Sequence, residues 1–275
     1  MEITKDYIFT KPIDICKELN DWEKSILLLD KIDFSKAYKE NIQAEINSFG
    51  LRLRMAHLED IDPIIDFLVT RFIRDPEAIS KYDLYRFIEY GHGLIVENEQ
   101  GHIVGCLFEI GYEKEQTKIS YSIRLGIDES VKGKGLGRLL TVYSCLLAME
   151  RGAQIKIGLI HSNNFPSLHI HVNQVGWLID EYHYNLGNLG LCFEFSLPLT
   201  PQALLVNRID LDKVRSYCAE HQEGIDYLYI KGDDIETIKS VYRTKRFKIA
   251  AIVCPKQKEE VTMLFALPVE LLYAN

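Results

Sequence analysis

The chain has six cysteines (Cys16, Cys106, Cys145, Cys192, Cys218 and Cys254) but no Cys-x-x-Cys pair, and most of the six fall singly in apolar runs. That spacing argues against a disulfide framework and for reduced, buried thiols in a cytosolic setting. The opening Met1-Glu2-Ile3-Thr4-Lys5-Asp6 lacks the apolar run of a signal peptide. No apolar stretch approaches membrane-spanning length. The expectation is a cytoplasmic protein with no membrane partner. Positive charge is also short: the net charge is -8, which speaks against a nucleic-acid partner and would mildly attract a cationic amine. At 275 residues the chain can bury a large core, in one big domain or two small ones.

What is present centres on residues 127–140. Lys118 to Ile127 alternates as a β-strand does, with Ile119, Tyr121, Ile123, Leu125 and Ile127 on one side. Leu136 to Arg151 places Leu139, Leu140, Tyr143, Leu146 and Leu147 at helical spacing, with Gly152 as the stop. Gly133, Gly135 and Gly137 therefore sit where a strand turns into a helix. Glycine permits positive φ and close approach of a ligand to the main chain. The first N–H groups of the helix point outward without partners and favour an anion. Lys132, Lys134 and Arg138 add cations, so the stretch reads as a phosphate cradle. The spacing is Gly-x-Gly-x-Gly, which is neither the dinucleotide pattern nor a P-loop.

The run Lys132-Gly133-Lys134-Gly135-Leu136-Gly137 resembles the pyrophosphate loop of the GNAT superfamily of N-acetyltransferases, Gln/Arg-x-x-Gly-x-Gly/Ala, with Lys in place of Gln or Arg. The surrounding order agrees. Leu51 to Met55 reads as a strand and the run around Pro63 as a helix continuing to Phe72 and Ile73. Pro76 interrupts, and a second helix runs from Tyr82 to Tyr90. Leu94 to Glu97 and His102 to Ile110 form a hairpin. Downstream, the strand Gln154 to Ile160 leads into Asn163-Asn164-Phe165-Pro166-Ser167-Leu168-His169-Ile170-His171 and Val175-Gly176-Trp177. This is similar to the family's Asn-x-x-Ala/Ser block, although Gly176 arrives one residue late. Strands Leu178 to Tyr184 and Leu189 to Leu197 follow, joined through Asn185 to Asn188. The resemblance covers about 51–198 and implies an α/β (α+β) fold, a mixed, mostly antiparallel sheet flanked by helices.

The flanks are additions. Residues 1–50 read as two helices, Ile13 to Leu29 and Ser35 to Ser48, packing on the next domain or on a second copy in a homodimer. Residues 201–275 form a small α/β domain in the order helix, strand, helix, strand, strand. That order matches residues 136–197, with Tyr229, Phe247 and Phe265 echoing Ile157, Trp177 and Phe193 at offsets of 70 to 72 residues. It reads as a degenerate half-repeat without a glycine loop, or as an unrelated appendage. Where a glycine is expected before its second strand, Arg246 stands.

The resemblance further implies acetyl-CoA as co-substrate, no metal, and a primary amine as acceptor, whether small molecule, amino acid or protein. In the prosthetic sense there is no cofactor; acetyl-CoA would be held by residues 132–138, by the main chain of Leu125, Gly126 and Ile127, and by Asn164 and Ser167. His171 takes the place of the family's usual Tyr, the acid that protonates the leaving thiolate. The family's Glu on the fourth strand is replaced by Tyr121, a candidate substrate contact. That leaves Glu109 on the neighbouring strand, or more weakly Glu77, as the base. His161, His169 and His171 make no metal site, because positions 169 and 171 do not share a helix face. The missing Glu also supports an alternative: a non-catalytic acyl-CoA sensor or interaction protein.

Overall fold

A computed structural model describes residues 11–71, 80–184, 191–253 and 262–272. The readings that rest on Phe72, Ile73, Pro76, Glu77, the Asn185 to Asn188 connection and Cys254 lie outside those residues. The other five cysteines are free thiols. Among the described residues no helix is long and apolar enough to cross a membrane.

The chain divides into two compact units, Leu29–Lys156 and Met1–Leu28 with Ile157–Asn275. In the first unit, strands β1 (Arg52–Met55), β2 (Gly91–Glu97), β3 (Ile103–Lys114) and β4 (Thr117–Ile127) are neighbours in that order, each antiparallel to the next. Alternation decides what each face meets. Ile95, Cys106 and Phe108 point to one side, where they pack with Ile64, Phe67 and Leu68 of helix α3 (Ile61–Arg71) and Leu84 of α4 (Lys81–Tyr90). The opposite face carries Glu109, which meets Ser144 of α5 (Leu136–Glu150). Helix α2 (Lys31–Ser48) reaches α5 through Ser35, whose hydroxyl donates to Glu150 at 2.7 Å.

Helix α2 starts at Lys31, four residues before the expected Ser35, because the Asp30 carboxylate accepts from both Ile32 and Asp33 N–H at 2.9 Å. The helix expected from Ile13 is also shorter. Lys17 N–H donates to Arg208 O at 2.7 Å and Cys16 bridges Ile209, which holds that stretch extended. Within that span only Asp21–Ile26 is α-helical (α1), opened by a reciprocal cap between Asn20 and Glu23, and Ile13–Ile15 make a single 3-10 turn.

Strand β5 (Ile155–His161) carries the chain into the second unit. There β5, β7 (Leu191–Pro198) and β6 (Leu178–Tyr184) are neighbours in that order, and β6 and β7 are antiparallel. Helix α6 (Phe165–Leu168) follows β5, and α7 (Pro201–Val206) follows β7. A second sheet orders β8 (Leu228–Lys231), β10 (Met263–Pro268) and β9 (Phe247–Val253), with α8 (Leu211–Glu220) before it, α9 (Ile235–Thr244) after β8 and α10 (Val269–Leu272) at its end. The expected element order holds, and the strand order repeats that of β5, β7 and β6. The caps repeat too. Asn164 accepts from Ser167 N–H, as Asp234 accepts from Thr237 N–H.

The helix that follows β5 departs from the one that follows β8. After α6, residues His169–Val175 form a π-helix, with Gly176 N–H bonded to His171 O. In α9 the same element is an ordinary helix, ending left-handed on Lys245 (φ 54°) rather than at the expected Arg246. A π-helix takes up one extra residue per turn. The late arrival of Gly176 is therefore absorbed inside the helix, and the strand after it keeps its place.

Groups outside the helix meet its wide turn. Val172 O accepts from the buried Lys11 Nζ at 2.7 Å, and Asn173 O accepts from Ile209 N–H at 2.7 Å. The Asn173 side chain pairs with both Ile252 N–H (2.9 Å) and Ile252 O (2.7 Å) on β9. Burial drives Lys11 down to about 7. These bonds, with Lys248 to Asp180 at 2.7 Å, group residues 157–198 with the flanking segments. Gly176 closes the turn at φ 92°, where an added Cβ would lie 2.7 Å from Asn207 Cβ and 2.9 Å from Asn207 C. Gly176→Ala is therefore expected to cost about 2–4 kcal/mol, the left-handed penalty plus overpacking. Urea unfolding measures it, and an unchanged midpoint would refute this account of the turn.

Candidate functional site

The glycine loop lies in the first unit. Asp128 closes a short 3-10 turn, Glu129–Val131, by accepting from Ser130 N–H at 2.8 Å. Gly133 and Gly135 then take φ of 79° and 74°, and no atom lies within 4 Å of where a Cβ would stand on either. Both need glycine for conformation, and both leave the main chain open. Gly137 differs: it is buried in the first turn of α5, and its carbonyl accepts from Thr141 Oγ1 at 2.8 Å.

Helix α5 begins on Gly135 with no side-chain cap. By contrast, α1, α2, α4, α7, α8 and α9 each begin on a side chain that accepts a first-turn N–H. The amides of Leu136, Gly137 and Arg138 precede the first intrahelical bond, Leu139 N–H to Gly135 O at 3.1 Å. These are the donors an anion would use.

The three cations are less available than the sequence suggests. Lys132 pairs with Glu129, and Arg138 pairs with Glu45 of α2 at 3.2 Å. Lys134 Nζ stands 5.7 Å from the centroid of the Phe49 ring. The positive field of the loop thus rests mainly on its backbone.

Strand β4 bends just before the loop. Its register against β3 shifts between Leu107 and Phe108, and Arg124 is the extra residue, at φ 51°. Nothing in the sequence marked Arg124 as a bulge. Leu125, Gly126 and Ile127 follow it, facing Leu107, Cys106 and Gly105 in the ladder. Gly126 has a packing reason of its own, since a Cβ there would lie 3.1 Å from the Phe67 ring. Tyr121 is half-buried opposite Ile110.

Glu109 requires a correction. Its side chain is only 4% exposed, paired with Lys156, with the Ser144 hydroxyl, and with His92 Nε2 at 2.7 Å. The His92 contact is short but off the hydrogen-bonding direction of the ring nitrogen. Burial alone would raise the Glu109 pKa; the Lys156 ammonium and His92 outweigh it and hold it at about 2. A carboxylate so stabilised is a poor proton acceptor near neutrality. It anchors α5 to the sheet through Ser144, and no motif or spacing marks Lys156 as its partner.

In the second unit, Asn164 Oδ1 caps α6 by accepting from Ser167 N–H at 3.3 Å. His171 is buried. It is 4% exposed, its Nδ1 lies 2.8 Å from Ser167 O, and its ring stands edge-on to Trp177 with centroids 5.0 Å apart. That geometry assigns the proton to Nδ1.

No family model matches the sequence, and no curated protein matches it. Solved structures are similar over part of the chain. The chain is similar to a chain of the NatC complex bound to Gag peptide and CoA, at 13% identity and a TM-score of 0.48, covering 55% of this chain and 99% of that one. It is similar to an N-acetyltransferase of the GNAT family from Escherichia coli in complex with CoA, at 17% identity and a TM-score of 0.43, covering 56% and 84%. A GNAT-family acetyltransferase from Elizabethkingia anophelis with acetyl-CoA bound is also similar, at 12% identity and a TM-score of 0.45, covering 54% and 98%.

Breaking the Glu109 network measures its weight. Lys156→Met is expected to cost about 3–5 kcal/mol, because it leaves a buried carboxylate uncompensated. Adding Glu109→Gln should cost less than the sum of the single changes. The folded pKa of Glu109 lies below its unfolded value of about 4.3. Its contribution is therefore complete above that value and is lost as pH falls toward about 2. Urea unfolding of wild type and variants between pH 2 and 7 checks both outcomes.

Proposed function

We propose that this chain is an N-acetyltransferase that takes acetyl-CoA as co-substrate and passes its acetyl group to a primary amine. The observation that carries the reading is the open start of α5: two left-handed glycines followed by a helix with no side-chain cap. A diphosphate supplies the negative charge that the outward amides of Leu136, Gly137 and Arg138 call for. Lys134 adds charge from outside, and Lys132 and Arg138 add it to the extent that their pairs with Glu129 and Glu45 yield.

The main chain of Leu125 and Ile127 is assigned to the pantetheine arm and to polarising the thioester carbonyl. Asn164 and Ser167 keep their assignment to the cofactor through the Asn164 amide nitrogen and the Ser167 hydroxyl, since the α6 cap uses Asn164 Oδ1 and the Ser167 N–H. Tyr121 remains the acceptor contact and His171 the acid for the thiolate. The acceptor is a small molecule, an amino acid or a protein amine, and the net charge of -8 favours a cationic one. The cytoplasmic setting belongs to the same reading. So does a homodimer through residues 1–50.

A second reading, a non-catalytic acyl-CoA sensor, draws on the burial of Glu109, which removes one candidate base. Release of CoA from acetyl-CoA on mixing with amines or peptides supports the enzyme, and its absence across an acceptor screen supports the sensor.

The loop itself is tested by binding. Gly135→Val forces an L side chain into φ near 74° and should weaken acetyl-CoA binding at least a hundredfold in calorimetry, while circular dichroism reports a folded protein. Lys134→Ala should weaken it tenfold or less, about 1 kcal/mol, and more at low salt. Normal binding by folded Gly135→Val would overturn the acyl-CoA assignment.

A further inference from the structure

Strands β5, β7 and β6 bring five titratable side chains onto one face of the second unit. Cys192 Sγ on β7 lies 3.8 Å from His161 Nδ1 on β5. His183 on β6 stands directly opposite Cys192, and Glu181 directly opposite Glu194. His183 Nε2 lies 2.6 Å from Glu194 Oε2. The aromatic residues Tyr182 and Phe193 alternate onto the other face with Phe195, which packs with Trp177 and His171. His171 and His183 therefore serve opposite sides of the sheet.

The two candidate bases differ in access. His183 and Glu194 side chains are 29% and 24% exposed, whereas Glu109 is at 4%. The Nε2–H of neutral His183 donates to Glu194, which leaves the Nδ1 lone pair as acceptor. Among the described residues nothing is bonded to that Nδ1. A carboxylate that orients an imidazole and stabilises its charged form is the arrangement general bases use. Nor is this a metal site: among the described residues no three His, Cys, Asp or Glu side chains converge on one point.

We propose that His183, oriented by Glu194, is the proton acceptor for a primary ammonium ligand, with the exposed Glu181 carboxylate on the same face drawing the cation in. As a step in acetyl transfer this rests on the acyl-transfer reading above. A proton leaves the ammonium nitrogen for His183 Nδ1. The neutral amine so formed is the nucleophile that acetyl transfer needs. The titratable groups facing His183 are Glu194 and Cys192 from β7 and Glu181 from its own strand, with His161 from β5 beyond Cys192.

The test has two arms on the full-length protein. In the first, histidine-selective NMR follows the imidazoles while n-propylamine is added without acetyl-CoA. The His183 signals should move, the exposed hairpin His102 should not, and Glu194→Gln should weaken the effect. In the second, CoA release from acetyl-CoA with n-propylamine should fall about 10²–10⁴-fold in His183→Gln. Glu194→Gln should shift the pH dependence of kcat more than KM, which a merely structural loss would not do. Stationary His183 signals, or wild-type turnover by His183→Gln, would overturn the proposal. If wild type releases no CoA with any amine, the acyl-transfer reading fails, and the NMR arm still decides whether His183 receives the ammonium.

Discussion

An α-helix cannot satisfy its own first N–H groups, and the way this chain handles that constraint sets its chemistry. Among the described residues seven α-helices are closed at their start by a side chain, but α5 begins on Gly135 with no side-chain cap. The same helix is tied from behind, by Ser144 to Glu109 and by Glu150 to Ser35 and Lys39. A donor set held rigid and left open suits an anion, because little ordering remains to oppose binding. The buried Glu109 and Lys156 pair then has a reason to exist that net stability alone would not supply, since apolar side chains could fill the same space.

The extra residue before Gly176 shows how the fold absorbs an insertion. An insertion in β6 would have turned every following side chain to the other face. In the π-helix it widens one turn, and the carbonyls of Val172 and Asn173 there face donors from outside the helix: Lys11 and Ile209. Asn173 also imitates a strand neighbour for Ile252. The flanking segments are thus more than attachments. They supply hydrogen bonds that a seven-residue π-helix would otherwise lack, which explains why residues 157–198 group with them.

The loop and the strand-to-helix order were legible because each depends on local spacing. Gly133 and Gly135 announce positive φ, and the order of strands and helices follows from period and turn residues. Charge was misread for the opposite reason. Lys132 and Arg138 look free in the sequence, yet their partners Glu129 and Glu45 lie three and ninety-three residues away, and only the second distance depends on the fold. Glu109 looked like a base because its strand was right; its burial depends on Lys156, which spacing cannot connect to it. The bulge at Arg124 carries no glycine to mark it.

His183 and Glu194 stayed hidden because a cross-strand pair is set by register. The two are eleven residues apart in sequence, and the irregularity between Ile179 and Glu181 decides which residues of β6 face β7. Without that shift, Glu181 and His183 would alternate onto the face of Phe193 and Phe195, and the aromatic side chains onto the face of Cys192. One irregular residue in an edge strand therefore separates an apolar core from a titratable surface. The acidic excess of the whole chain adds to this locally, through Glu181 and Glu194, so that a cation approaching the strip meets carboxylates before it meets the imidazole. Attraction and proton acceptance then come from the same few residues. That is the economy to expect where a charged amine has to be neutralised before it can react.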